Sequence, residues 1–194
     1  MSDAAFLPVS TWDADLVQAY ADHYTGSRGA PPGKKLAWRI FTGGRSRGWI
    51  VLGEPPFKLA ARRSLGLIDA RPLAETVCCA LYRVETRLPG EPSAGDILRT
   101  WHGVAAAEWA ARYGWTPLHW ETMVDPAAVA SAVPGACFRR AGYRVLGNTT
   151  GRGASRPAGS TRGARIWTSG KSLKLVMYRG PLARVEAADA LRGV

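Results

Sequence analysis

The stretch LPGEPSAGDILRTWHGVAAAEWAARYGW, residues 88–115, constrains the fold of this chain more than any other. Ser93 stands where a helix would start, Ile97, Leu98, Trp101, Ala105 and Trp109 recur on one helical face, and Gly114 supplies a left-handed stop. On either side lie runs that read as strands: Glu75 to Thr86, rich in Val, Leu, Tyr and Cys, and Pro117 to Val124, with alternating Leu118, Trp120, Thr122 and Val124. A helix that crosses over between two strands of one sheet makes those strands parallel. The chain is therefore expected to be α/β, with a central mixed sheet flanked by helices.

The remaining segments fit that frame. Leu16, Val17, Tyr20 and Tyr24 have helical spacing and predict a helix over 13–24, opened by Ser10-Thr11-Trp12-Asp13. Leu36 to Phe41 and Gly48 to Gly53 read as a β-hairpin turning at Gly43-Gly44. A short helix over Gly135 to Ala141 and strands over Tyr143 to Gly147 and Leu173 to Tyr178 complete the order. No internal repeat is visible, and 194 residues suit one domain over 1–194, with a flexible basic loop at about 148–170.

Charge narrows the partners. Lys and Arg number 26 against 15 Asp and Glu, a net charge of +11, which favours a polyanion: nucleic acid or an acidic membrane surface. No apolar stretch approaches the roughly 20 residues that span a bilayer, so the expectation is a soluble cytoplasmic protein with no membrane partner. The three cysteines, Cys78, Cys79 and Cys137, are odd in number, lack metal-ligand spacing and read as small buried hydrophobes. No H-x-x-H pattern or Cys/His cluster argues for a metal. The cations gather in segments read as loops: Lys34, Lys35, Arg45, Arg47, Arg62, Arg63, Arg152, Arg156 and Arg162 are the candidate phosphate contacts. Trp101, Trp109 and Trp120 look like core, whereas Trp38, Trp49 and Trp167 flank basic loops, and one of them could stack a base.

Among acids, Asp125 stands out because it follows a parallel strand, at the end where open α/β sheets bind ligands. Asp-Pro is also an ordinary strand terminator. Glu121 shares its strand face and is a second acid or the partner of an arginine. His23 ends the first helix, where a lone histidine is more often a cap than a base. His102 and His119 receive no role.

The strand-helix-strand unit followed by CFRRAGYRVLG (137–147) resembles the GNAT acetyltransferase fold. HYTGSRGAPPGKKLAWRIFTGGRSRGWIVLG (23–53) and ETMVDP (121–126) with GACFRRAGYRVLGNTTGRG (135–153) are similar to the Mom family of phage DNA-modifying proteins, and also to a Druantia-type anti-phage domain. The Mom resemblance implies a transferase that places a small acyl or carbamoylmethyl-type group on the exocyclic amine of adenine in double-stranded DNA, shielding phage DNA from restriction. It implies catalytic roles for His23, Tyr24 and Asp125. The GNAT resemblance implies a diphosphate-binding loop at RLPGEP, with Arg87, Gly90 and the helix start at Ser93 as contacts for an acyl-coenzyme A-type donor. The donor itself is not named by the sequence. Two departures stand in these motifs: Phe138 occupies a family tyrosine position, and Pro92 the place of a small residue. Two other functions remain open, a non-catalytic DNA-binding module and a small-molecule acetyltransferase. A second copy of the chain is a further candidate partner.

Overall fold

The computed structural model describes residues 4–23, 30, 32–55, 75–129, 131–148 and 174–180. Seven strands form one sheet: β1 (Ala4–Val9), β2 (Lys35–Thr42), β3 (Arg45–Gly53), β4 (Thr76–Val84), β5 (His119–Val124), β6 (Arg144–Asn148) and β7 (Leu175–Arg179). The described helices are α1 (Ala14–Ala21), α2 (Ala94–Tyr113) and α3 (Ala136–Arg140). The spatial order is β1-β2-β3-β4-β5-β7-β6, and among these neighbours β4 and β5 alone run parallel. This is the mixed, helix-flanked sheet that the crossover demands.

Each long element begins and ends where its chemistry dictates. Ser93 caps α2 by accepting from Asp96 N–H, and Gly114 closes the helix at φ 81°. Asp13 caps α1 by accepting from the amides of Asp15 and Leu16. The apolar face of α2 lies over one side of the sheet, where Trp101 meets Trp38 and Trp120 edge-on with ring centroids 5.6 Å apart in both pairs. On the opposite side, Leu16, Ala19 and Tyr20 of α1 pack on Ala37, Trp49, Val51 and Leu81. Adjacent strand residues divide between the two cores, as the two-residue period requires.

The first strand was not foreseen. Ala4–Val9 lacks clean alternation and contains Pro8, which a central strand would exclude; as the edge strand paired only with β2, it tolerates the missing donor. The basic loop expected at 148–170 lies outside the described residues apart from Asn148, which ends β6.

Two irregularities position the site. Between β2 and β3 the register slips so that Ile40 faces Gly48 while Phe41 faces Ser46, leaving Arg47 as the extra residue of a bulge. Gly48 then sits at φ 144°, where a Cβ would lie 2.0 Å from the Arg83 carbonyl oxygen. Between β3 and β4, Val51 faces Leu81 and Leu52 faces Cys79, so Ala80 is the extra residue.

Gly48→Ala is expected to abolish soluble protein or lower the unfolding free energy by more than about 3 kcal/mol, since the clash is with backbone and adds to left-handed strain. Gly44→Ala, at φ 77° but with nothing within 4 Å of its Cβ, pays only the conformational term, about 1–2 kcal/mol. Urea midpoints of the two variants check the contrast.

Candidate functional site

β4 and β5 are hydrogen-bonded neighbours over only four residue pairs, Thr76–Cys79 against His119–Thr122. The Thr122 hydroxyl donates to the Cys79 carbonyl at 2.9 Å, closing the paired part. The Ala80 bulge follows at once, and from Leu81 to Val84 β4 stays with β3, while Met123 and Val124 pair with β7. The two parallel strands therefore part at their C-terminal ends and leave a mouth between them.

Asp125 lies on one lip, the first residue after β5, and is buried. Its Oδ1 accepts the Ala127 amide at 3.0 Å and its carbonyl accepts from Ala128 and Val129, so the acid is fixed by the turn it starts. Lys174 immediately precedes β7, whose first residue, Leu175, pairs with Val124, the neighbour of Asp125. On the other lip is Arg83, whose guanidinium donates to the Ala19 carbonyl at 3.4 Å and pairs with Asp22 at 3.6 Å. These contacts tie β4 to the end of α1, where His23 follows, half-buried, its amide on the Tyr20 carbonyl. Burial, then the charges of Arg83 and Lys174, lower the His23 pKa to about 4. His23 is thus an unprotonated imidazole at neutral pH, in the field of one cation from each lip.

On the α2 face the mouth is lined by aromatic groups. Tyr82 donates to the Ala94 carbonyl at 2.6 Å, and its ring meets Phe138 edge-on. Phe138 in turn meets Tyr143, whose hydroxyl is 2.9 Å from His102 Nε2. His102 is a core residue: burial and Arg179 lower its pKa to about 3, so the ring is neutral at pH 7 and its Nε2 is hydrogen-bonded with the Tyr143 hydroxyl. The hydroxyl that Phe138 lacks is therefore not supplied by Tyr143, which is buried and held by His102. His119 is likewise buried, with Nδ1 2.7 Å from the Tyr178 hydroxyl, and Glu121 is buried in the middle of β5 beside Tyr178.

The loop 87–92, expected from the resemblance to be a diphosphate cradle, is filled by its own residues. Glu91 accepts the Leu88 amide at 2.7 Å, together with Thr42 Oγ1, Arg45 and Arg47, the last at 2.6 Å. These donors, the Leu88 amide foremost, hold the Glu91 carboxyl down at about 2. The Glu91 amide returns to the Leu88 carbonyl, and Pro89 and Pro92 have no N–H, so between residues 88 and 92 Gly90 alone keeps an amide outside these bonds. At the helix start, the Ser93 hydroxyl bonds the Asp96 carboxylate, which Arg99 and Arg140 also hold; these bonds, Ser93 first, keep Asp96 well below the usual carboxylate range. Two internal carboxylates thus stand where a diphosphate would bind. The cradle does not fit a coenzyme A-type diphosphate. Ser93 is a helix cap, and the Arg87 Nε donates to the Glu91 carbonyl at 2.7 Å.

Several expected contacts change role. Arg47 is a correction: the bulge turns its side chain inward, where it is 1% exposed and paired with Glu91, so it is not a phosphate contact. Arg45 is half-exposed but held by Glu85 and Glu91. Trp38 and Trp49 are corrections too: Trp38 is fully buried, its indole N–H on Glu108 at 3.0 Å, and Trp49 is buried with the Arg39 guanidinium 4.9 Å from its ring centroid. Lys34 is exposed and Lys35 half-buried at the start of β2. Tyr24, Arg62, Arg63, Arg152, Arg156, Arg162 and Trp167 lie outside the described residues. Among the described residues, no three His, Cys, Asp or Glu side chains converge as a metal site, and no helix is long and apolar enough to cross a membrane.

Comparison with known proteins adds the following. No family model matches the chain, and no curated protein matches it. Among solved structures it is similar to an acetyltransferase of Bacillus subtilis in complex with CoA, at 11% identity and a TM-score of 0.47, covering 94% of this chain and 100% of that one. The architecture described above rests on this chain's own strand order and pairing.

Neutral His102 makes the fold acid-sensitive. Its folded pKa, about 3, lies below the ordinary value of 6.5, so the unfolded chain binds the extra proton. Stability is then full above about pH 6.5 and falls progressively as pH drops toward 3. Urea midpoints at pH 7, 5.5 and 4.5 should decline, and His102→Gln should show a shallower decline over the same interval.

Proposed function

We propose that this chain is a transferase that moves a small group onto the exocyclic amine of adenine in DNA. The observation that carries the reading is geometric: half-buried His23 follows α1, which Arg83 ties to one lip of the mouth, and buried Asp125 stands on the other lip. The Mom-like motifs at 23–53, 121–126 and 135–153 support the choice of acceptor, and the net charge of +11 supports a polyanionic partner.

An adenine amine is a weak nucleophile stacked inside the duplex, so the base must be flipped out to reach a protein group. The N6 lone pair attacks the electrophilic carbon of an activated donor; the C–N bond forms, and the leaving group departs with the bonding pair. The imidazole of His23 takes the N6 proton, and the Asp125 carboxylate accepts a hydrogen bond from the remaining N6–H. Tyr24, next to His23, orients the base or the donor. Arg62, Arg63, Arg152, Arg156 and Arg162 contact the phosphates.

No step passes through a coenzyme A diphosphate in the loop 87–92, because Glu91 and the two prolines close it. The donor is a small activated metabolite held without that loop. The same closure favours a second reading, a DNA-binding module without chemistry.

The test is to express the chain in a bacterial host, digest the DNA to nucleosides and measure masses. The transferase reading predicts a new deoxyadenosine species, absent with His23→Ala or Asp125→Asn while both variants still bind DNA. An unmodified nucleoside profile alongside folded, DNA-binding wild-type protein would establish the second reading instead.

A further inference from the structure

Far from the mouth, an open groove of about 750 Å3 lies between the end of β1, the start of β2 and the last turns of α2. Its residues include Ser10, Thr11, Trp12, Lys35, Glu108 and Arg112. The volume falls within the usual range of ligand clefts, about 300–1,000 Å3. Because its helix residues are Glu108, Ala111 and Arg112 and α2 begins at Ala94, the groove sits roughly 21–27 Å along that helix from the loop that meets β4.

Trp12 is the unusual member. It is 82% exposed, the most exposed large hydrophobic side chain among the described residues, whereas Trp38, Trp49, Trp101, Trp109 and Trp120 are all buried. Its backbone is not loose: the Trp12 amide donates to Ser10 Oγ at 3.2 Å, the Asp13 amide to the Ser10 carbonyl at 3.0 Å, and Asp13 caps α1. The turn therefore presents the indole outward from a fixed base. The floor is equally fixed, since the Tyr113 hydroxyl accepts the Lys35 amide at 3.0 Å and donates to the Lys35 carbonyl at 2.9 Å. Two cations and one acid line the groove. Lys35 and Arg112 line the groove, and Lys34 stands over the Tyr113 ring, 5.6 Å from its centroid. The one acid in the lining, Glu108, accepts the indole N–H of Trp38 through Oε2.

An exposed, preorganised indole in a groove with two cations has the chemistry that binds single-stranded nucleic acid: a stacking platform for a base and positive charge for its phosphates. We infer that this groove binds a segment of single-stranded nucleic acid, with one base stacked on Trp12 and the adjoining phosphates on Lys35 and Arg112. The inference is independent of the chemistry proposed at the mouth. A flat charged surface would bind phosphates alike whatever bases they carry; here the base itself contributes.

The experiment is fluorescence polarisation with a labelled 15-nucleotide oligo(dT) and with an abasic strand of equal length. Wild-type protein should bind the oligo(dT) more tightly than the abasic strand. Trp12→Ala should lose roughly five-fold or more on oligo(dT), little on the abasic strand, and nothing in melting temperature, because the side chain is exposed. Trp12→Phe should retain most of the affinity. Lys35→Gln with Arg112→Gln should reduce the slope of log affinity against log salt by about 1.4. Equal affinity for both strands in wild type, or oligo(dT) affinity unchanged in Trp12→Ala, would overturn the proposal. So would Trp12→Ala that converts a dimer to a monomer in light scattering with oligonucleotide affinity intact, since the groove would then be a contact between copies.

Discussion

The Ala80 bulge decides where the sheet of this molecule opens. Two parallel strands that stayed paired to their ends would present a closed sheet edge, with backbone donors and acceptors matched. Instead the extra residue in β4 comes directly after the last β4–β5 pair, and β4 follows β3 while β5 follows β7. The opening is made in the middle of a sheet, so both lips are rigid strands with a core beneath them. Asp125 and Lys174 ride on one lip, and Arg83 rides on the other. α1 is held to the second lip through Arg83, and this brings His23 to the same place.

The second bulge, at Arg47, supports the first. It turns a guanidinium into the structure, and a buried guanidinium needs a carboxylate. Glu91 answers it while also taking Arg45, Thr42 and the Leu88 amide, so one carboxylate joins the β2–β3 hairpin to the segment that leads from β4 into α2. The same arrangement removes the loop as a diphosphate site. A segment that could have been a cofactor cradle acts as a structural clasp, and a coenzyme A-type donor would have to displace a carboxylate already held by three side chains and an amide.

Much of this was legible in the sequence. Ser93 and Gly114 marked the crossover helix to within a residue, and the parallel pairing followed from the helix itself. Asp125 at the end of β5 was equally readable, because strand and crossover together fix which end it occupies. What escaped was set by tertiary contact. Pro8 hid an edge strand, because its compatibility with a strand depends on which neighbour is missing. Arg47 looked like a surface cation, since nothing local announces a bulge. Trp38 and Trp49 flank basic segments in sequence, yet strand alternation sends their rings into opposite cores. Trp12, the exposed tryptophan, was passed over because its turn reads as a helix start; its exposure is a property of the completed surface.

The central claim is that burial, together with the cations Arg83 and Lys174 at the lips of the mouth, keeps His23 unprotonated. An NMR titration of its imidazole, assigned by comparison with His23→Ala, tests this directly. The account predicts a midpoint near pH 4 in the native protein, rising when Arg83 is replaced by Gln, because one of the two cations is removed. A midpoint near 6.5, unmoved by that replacement, would contradict it.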